Sequence, residues 1–486
     1  MCVLYLNYMT HKEYTGFYKD LLPDPRSCRR ADKMFVDLLT KGTAVVNKNS
    51  ETHAEKIGAY RMLANESFSF KELAEGSYRS CKRNVQKQIH LLGIQDTTEN
   101  NFTNHELRLS SDDPDIGPIT NKNSIGFFCH PMLIIDPENQ LPLGFSSINI
   151  WSRSREMENR HVRDYKNQDI KEKESYRWIK SAEETKELID DVSIIFTFIS
   201  DRESDMYAEF VLVPDSRTHL IIRSSYDRKL YGEKQNLFEK LNTSKLRATY
   251  EINIPSGSKR AKRTAKMSLK YEKVKISHPI NRAKGNNPDY VELWAIEARE
   301  LPESVPEKED PILWRLLTTH EIKVTTDALT YIEWYSQRWL IEELFHIMKT
   351  KGFCIESAQL ENGAGLKKLC VLTMQAALTI MTLKLSLQNQ HKIKASLIFP
   401  EEYLPFFDIL MGDLEGKTVK LKNPYERGTV KWTAWAIARL GGWSGYSSQG
   451  PPGYITLKDG LDRFNDKVET YLSIMKYFNK KDVYKD

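Results

Sequence analysis

The sequence predicts an α/β fold in which a mixed sheet is covered by helices, with helical regions at both ends of the chain. Three observations carry this expectation. Short apolar runs with β character recur between residues 89 and 319, and several alternate with helical segments. Two of these runs end in a carboxylate, and a long amphipathic helix follows the last of them.

Taken in order, residues 1–70 read as helical, with a basic cluster at Arg26, Arg29 and Arg30 and a short element at 54–63 carrying Tyr60 and Arg61. This region has the character of a small DNA-binding head or of a scattered basic surface. The run IHLLGI at 89–94 predicts a buried strand that ends in Gln95, Asp96, Thr97 and Thr98. Strands at 124–135 and 141–151 flank a Pro-Glu-Asn-Gln turn at 137–140, as in a hairpin.

A helix at 172–188 leads into SIIFTFIS at 193–200, a strand that delivers Asp201, followed by Arg202, Glu203, Ser204 and Asp205. A short helix near 204–212 and a strand at 219–225 continue the alternation. Residues 226–310 break this rhythm with Gly, Pro and alternating polar residues, which predicts an inserted β-rich element. Within it, the run at 256–270 holds Lys259, Arg260, Lys262, Arg263, Lys266 and Lys270 with no acidic residue. That run is either a solvated loop or a flexible arm that neutralises nucleic-acid phosphates.

Strand 312–319 returns to the core, and the helix at 327–351 follows, with Thr325 and Thr326 as caps and Gly352 as its stop. At about 100° per residue, Leu340, Ile341, Leu344, Ile347 and Met348 form one apolar face. The same arithmetic puts Tyr335, Arg338, Glu342 and Lys349 on one polar stripe. Helices at 366–387, 431–442 and 461–478 complete the chain, with domains expected at 1–70, 71–375 and 376–486.

Lys plus Arg 71 against Asp plus Glu 66 gives a net charge of only +5, so the overall balance does not itself point to a polyanionic partner. The six cysteines form no CxxC pair and no Cys/His cluster of zinc-site spacing, in keeping with reduced thiols and a cytoplasmic setting. The apolar stretch at 369–387 contains Gln375 and Lys384 and reads as a buried helix rather than a membrane span.

Asp96 and Asp201 end strands expected to share a sheet, and Glu342 sits on the stripe of a helix that follows it. Three carboxylates without His or Cys suit hard cations with oxygen ligands, chiefly Mg2+ or Mn2+. Two such ions can activate a water or hydroxyl and stabilise the leaving oxygen of a phosphodiester. Arg338, Lys349 and Tyr335 then suit an anionic substrate.

The order and wording of these motifs resemble the cut-and-paste DDE transposases of bacterial insertion sequences, in the insertion-sequence-four group. The group's Tyr-x2-Arg-x3-Glu-x6-Lys signature is matched by Tyr335, Arg338, Glu342 and Lys349. Further likeness lies in IQDTT at 94–98, EKES at 172–175, SDRESD at 200–205, IIRS at 221–224, LWRLLT at 313–318 and AIARLGG at 436–442.

The resemblance implies a ribonuclease-H-like fold with an inserted β subdomain and a catalytic, metal-binding triad of Asp96, Asp201 and Glu342. It implies a base-stacking role for Trp314, DNA contacts at Arg223 and the basic positions Arg26 and Arg30, and a homodimer that pairs two inverted ends. Ser27 stands where a close relative carries another arginine. The triad alone is also compatible with a metal-dependent nuclease, or with a catalytically silent DNA-binding derivative.

Overall fold

A computed structural model describes residues 16–482 except 111, 122, 155–167, 255–261, 281–286, 351, 389–391 and 447–448. Its strands are β1 His90–Gln95, β2 Thr98–Asn101, β3 Gly117–Pro118, β4 Ile125–Ile135, β5 Pro142–Trp151, β6 Ile195–Ser200, β7 Thr218–Arg223, β8 Ala248–Ile254, β9 Arg263–Ser277, β10 Tyr290–Glu300 and β11 Leu313–Thr318. All join one mixed sheet, in the order β2-β4-β1-β6-β7-β11-β10-β9-β8, with β3 and β5 also paired to β4.

The sheet is mixed because β1, β6 and β7 run parallel, with helices crossing between them, whereas β4 with β5 and β8 to β11 are antiparallel. Side chains on the central strands alternate between two cores. Leu92, Ile94, Ile199 and Ile221 face one, and Leu91, Phe196, Phe198, Leu220 and Ile222 face the other. Burial on both faces explains why these strands read as unbroken apolar runs.

The expected inserted strands do form, but they extend the edge of the central sheet through β10 and β11. The basic run is likewise more ordered than a loop or arm: from Arg263 onward it is β9, held between β8 and β10.

Helix Gly363–Gln388 is the hub of the helical layer. It is long and apolar enough to cross a membrane, yet 89% of its most apolar window is buried inside the protein. Its Leu369, Val371, Leu372, Met374 and Leu383 share one core with Met34, Phe35 and Leu38 of helix Pro25–Lys41 and with Trp432, Trp435 and Phe464 near the C-terminus. The helix runs unbroken through position 375. Sequence-distant N- and C-terminal helices therefore depend on the same buried surface.

Candidate active site

The sheet register brings the first two carboxylates together. In the parallel pair β1 and β6, His90 lies beside Ile195 and Ile94 beside Ile199, a constant offset of 105. Extending that offset two residues past the ladder pairs Asp96 with Asp201 (96 + 105 = 201). Neighbouring strands lie about 4.8 Å apart, and both residues continue the side-chain parity of Ile94 and Ile199, so both project on one face.

A second register explains why Asp96 falls at a break. Residues of β1 and of β2 pair with β4 at a single constant sum, Leu92 with Ile135 and Thr98 with Cys129 (227 in each case). Asp96 therefore faces Pro131 and Thr97 faces His130. Proline has no amide hydrogen to give to a ladder, so strand pairing lapses where Asp96 must turn outward. The Thr97 amide donates to Asp96 Oδ1 at 2.8 Å and fixes the carboxylate.

Asp201 caps the short helix Arg202–Ser204 by accepting from the Arg202 amide. That turn is anchored from below. Ser204 Oγ donates to Glu209 Oε2 at 2.6 Å, and Asp205, whose side chain is fully buried, pairs with Arg228 and accepts from the Ser225 amide at 2.7 Å. Burial pushes the Glu209 carboxyl up to about 8. Asp205 is thus a structural carboxylate, although it lies only four residues from Asp201.

Glu342 arrives from the helical layer. The continuous helix expected at 327–351 is in fact two, Thr325–Ser336 and Trp339–Lys349. Asp327, not a threonine, serves the start of the first by accepting from the Lys323 and Val324 amides at 2.9 and 3.0 Å. At the junction the backbone bonds run three residues back: Arg338 N to Tyr335 O at 3.0 Å, Leu340 N to Gln337 O at 2.9 Å and Ile341 N to Arg338 O at 3.3 Å. Such a turn winds about 20° further per residue than an α-helix.

That extra rotation takes Tyr335 out of the polar stripe. It is only 3% exposed and packs edge-on to Trp314 of β11, with ring centroids 5.7 Å apart. Burial, the largest influence, makes its phenol a weaker acid than an ordinary tyrosine, against the nearby Arg338 and Arg223 charges. Arg338 and Glu342 remain together on the polar side.

Arg338 joins all three carboxylates. Its Nη1 lies 3.3 Å from Asp96 Oδ2 and 3.9 Å from Asp201 Oδ2, and its Nη2 donates to Glu342 Oε1. Three acidic groups thus share one guanidinium. Asp96 bears the imbalance: burial first, then the charges of Asp201 and Glu342, push its carboxyl up to about 6 against the Thr97 amide and Arg338. Among the described residues, no three acidic, imidazole or thiol side chains close around one point, and Arg338 contacts each of these three carboxylates.

The other expected contacts divide. Lys349 shares the helix face with Glu342 but lies seven residues on, about 10 Å along the axis. It donates to the Glu99 carbonyl and pairs with Glu356 at 3.2 Å, tying the helix to β2. Trp314 is half-buried, and the Arg223 guanidinium donates to the Leu313 carbonyl at 3.3 Å. Arg26, Arg61 and Lys262 are exposed, while half-buried Arg30 lies across Gly58. Lys259 and Arg260 fall outside the described residues.

Arg263 departs from the expected phosphate contact. It is clamped by Glu300 and Glu309, and the Glu300 side chain is fully buried. These acids lie 37 and 46 residues away in sequence, so an acid-free run still became an internal ion pair.

Sequence reasoning also missed a second arginine behind the carboxylates. Arg177 donates from Nε to Thr97 Oγ1 at 2.9 Å, from Nη1 to the Glu174 carbonyl at 3.1 Å and from Nη2 to Glu203 Oε2 at 2.9 Å. Thr97 Oγ1 also meets His130 Nδ1 at 2.9 Å, and His130 Nε2 meets Gln95 Oε1 at 3.2 Å. Burial keeps His130 neutral, well below the usual imidazole range. One set of roles satisfies the chain: Arg177 donates to Thr97, Thr97 to His130, and His130 to Gln95. The available signal was a histidine inside an otherwise apolar buried strand.

Residues 144–380 match the family described as Transposase DDE domain. That stretch is similar to a transposase DDE domain. The match takes in Asp201 and Glu342, whereas Asp96 and the terminal helices lie outside its limits. A mixed sheet flanked by helices agrees with the ribonuclease-H-like architecture of such domains.

Proposed function

We propose that the chain is a cut-and-paste DNA transposase of the insertion-sequence-four group. In this reading it binds the inverted terminal ends of its element, nicks them, forms and resolves a DNA hairpin, and joins the freed 3′ ends to target DNA. The observations that carry the proposal are the convergence of Asp96, Asp201 and Glu342 on Arg338 and the match of residues 144–380 to the family described as Transposase DDE domain.

The donor set fits divalent cations: six hard carboxylate oxygens with one guanidinium among them, and a buried aspartate whose ionisation is opposed by its acidic neighbours. Asp96, Asp201 and Glu342 would hold two Mg2+ ions, for which Mn2+ substitutes. When bound, these ions lower the pKa of a nucleophilic water or 3′-hydroxyl and stabilise the leaving oxygen.

The protein's own contribution is placement. β1 and β6 fix two carboxylates in register, and the short turn at Gln337–Arg338 presents Glu342 above them. Arg338 supplies positive charge beside the phosphodiester. Trp314, seated on Tyr335 and near Arg223, is the aromatic platform for a flipped base. Residues 1–70, with Arg26, Arg30 and Arg61, are assigned to end recognition, Lys262 with its neighbours Lys259 and Arg260 to phosphate contact, and residues 376–486 to homodimerisation.

The test uses pre-cut duplexes bearing the inverted repeats that flank the coding region, mixed with target plasmid and Mg2+. The chain should join 3′ ends to the plasmid. Cutting without joining, under conditions where the ends bind, would replace the transposase reading with a nuclease.

A further inference from the structure

Beyond Ile94 and Ile199 no ladder residue pairs β1 with β6, yet Asp96 and Asp201 lie two residues past that point. Two carboxylates there repel, and backbone hydrogen bonds no longer hold their segments together. Two arginines bracket the gap. Arg338 touches the carboxylates themselves and so competes with any cation for them. Arg177 touches only their neighbours, Thr97 beside Asp96 and Glu203 two residues past Asp201.

We propose that Arg177 is a positioning residue that sets the Asp96-to-Asp201 spacing by cross-linking Thr97 and Glu203, and thereby determines cation affinity. The inference rests on the transposase reading of the same centre. Three features support it. The Arg177 side chain is 15% exposed, and its three donating nitrogens reach three different segments. Its Thr97 contact is itself locked by buried His130, which is braced edge-on by Trp178 with centroids 4.6 Å apart. Because no arm touches a carboxylate of the centre, the clamp persists when those oxygens turn to a cation. Outer partners of metal ligands typically change affinity 10–100-fold when removed.

The test is Mn2+ binding to the full chain, followed by the electron paramagnetic resonance signal of unbound Mn2+, with thermal melting alongside. Arg177→Ala should weaken Mn2+ binding about tenfold or more. Arg177→Lys should recover only part of the loss, because an ammonium group lacks the planar fork. Thr97→Val, which removes one arm and keeps the side-chain shape, and Glu203→Ala, which removes another, should each weaken binding several-fold. They keep the proposal testable if Arg177→Ala does not fold.

Cleavage at saturating Mn2+ should approach the parent rate in the single-arm variants, with only the Mn2+ concentration for half-maximal rate raised. Variants that melt earlier but bind Mn2+ with unchanged affinity would overturn the clamp and leave Arg177 a packing residue. Failure of the parent chain to bind Mn2+ would instead count against the cation-centre reading itself.

Discussion

Glu342→Gln should lower DNA cleavage and joining by about 10³-fold or more, roughly 4 kcal/mol of transition-state stabilisation, while leaving end binding and folding nearly intact. The substitution keeps shape and one acceptor oxygen but removes the charge that a cation ligand requires. Its structural cost is small because the Glu342 side chain is 49% exposed, and exposed ion pairs such as its bond to Arg338 contribute only about 0–1 kcal/mol. Single-turnover cleavage with a parallel gel-shift separates the two effects. Unchanged cleavage would remove Glu342 from the mechanism.

Asp96→Asn should abolish cleavage and, in divalent-free buffer at pH 7, raise stability by about 3 kcal/mol. The sign follows from the direction of the shift. The folded carboxyl titrates at about 6, above its ordinary value of 3.8. The folded state therefore holds the proton more tightly, and its stability falls as pH rises from about 4 to 6. Asparagine keeps the acceptor for the Thr97 amide and removes the like-charge repulsion, so the gain is full at pH 7 and shrinks toward pH 4. Urea unfolding at both pH values measures it. A variant less stable than the parent at pH 7 would mean that Asp96 is structurally satisfied rather than strained by its neighbours.

Much of this centre was legible in the sequence, for identifiable reasons. Strands buried on both faces leave long apolar runs, so the elements ending at Asp96 and Asp201 and the strand leading into the signature helices stood out. The apolar face of helix Trp339–Lys349 followed from periodicity, and Leu340, Ile341, Leu344, Ile347 and Met348 are all buried.

What periodicity cannot register is a local change of winding. The tightened turn at Gln337–Arg338 left every residue helical in character, yet it carried Tyr335 into the core against Trp314. Long-range pairing is equally silent in a single chain. Arg263 looked like part of a phosphate-seeking arm because its acids lie on other segments, and Arg177 carried no signal because Thr97 and Glu203 are 80 and 26 residues away. The 105-residue offset that aligns the two aspartates is a property of the folded sheet, visible only once β1 and β6 are paired.

The most direct test of the central claim, that these carboxylates are ligands of catalytic cations, is to exchange a hard oxygen ligand for sulfur. Asp201→Cys should be inactive in end cleavage with Mg2+ and regain activity with Mn2+, which accepts the softer thiolate more readily. Cleavage by Asp201→Cys at the parent rate in Mg2+, or equal inactivity in both ions while the ends remain bound, would contradict the account.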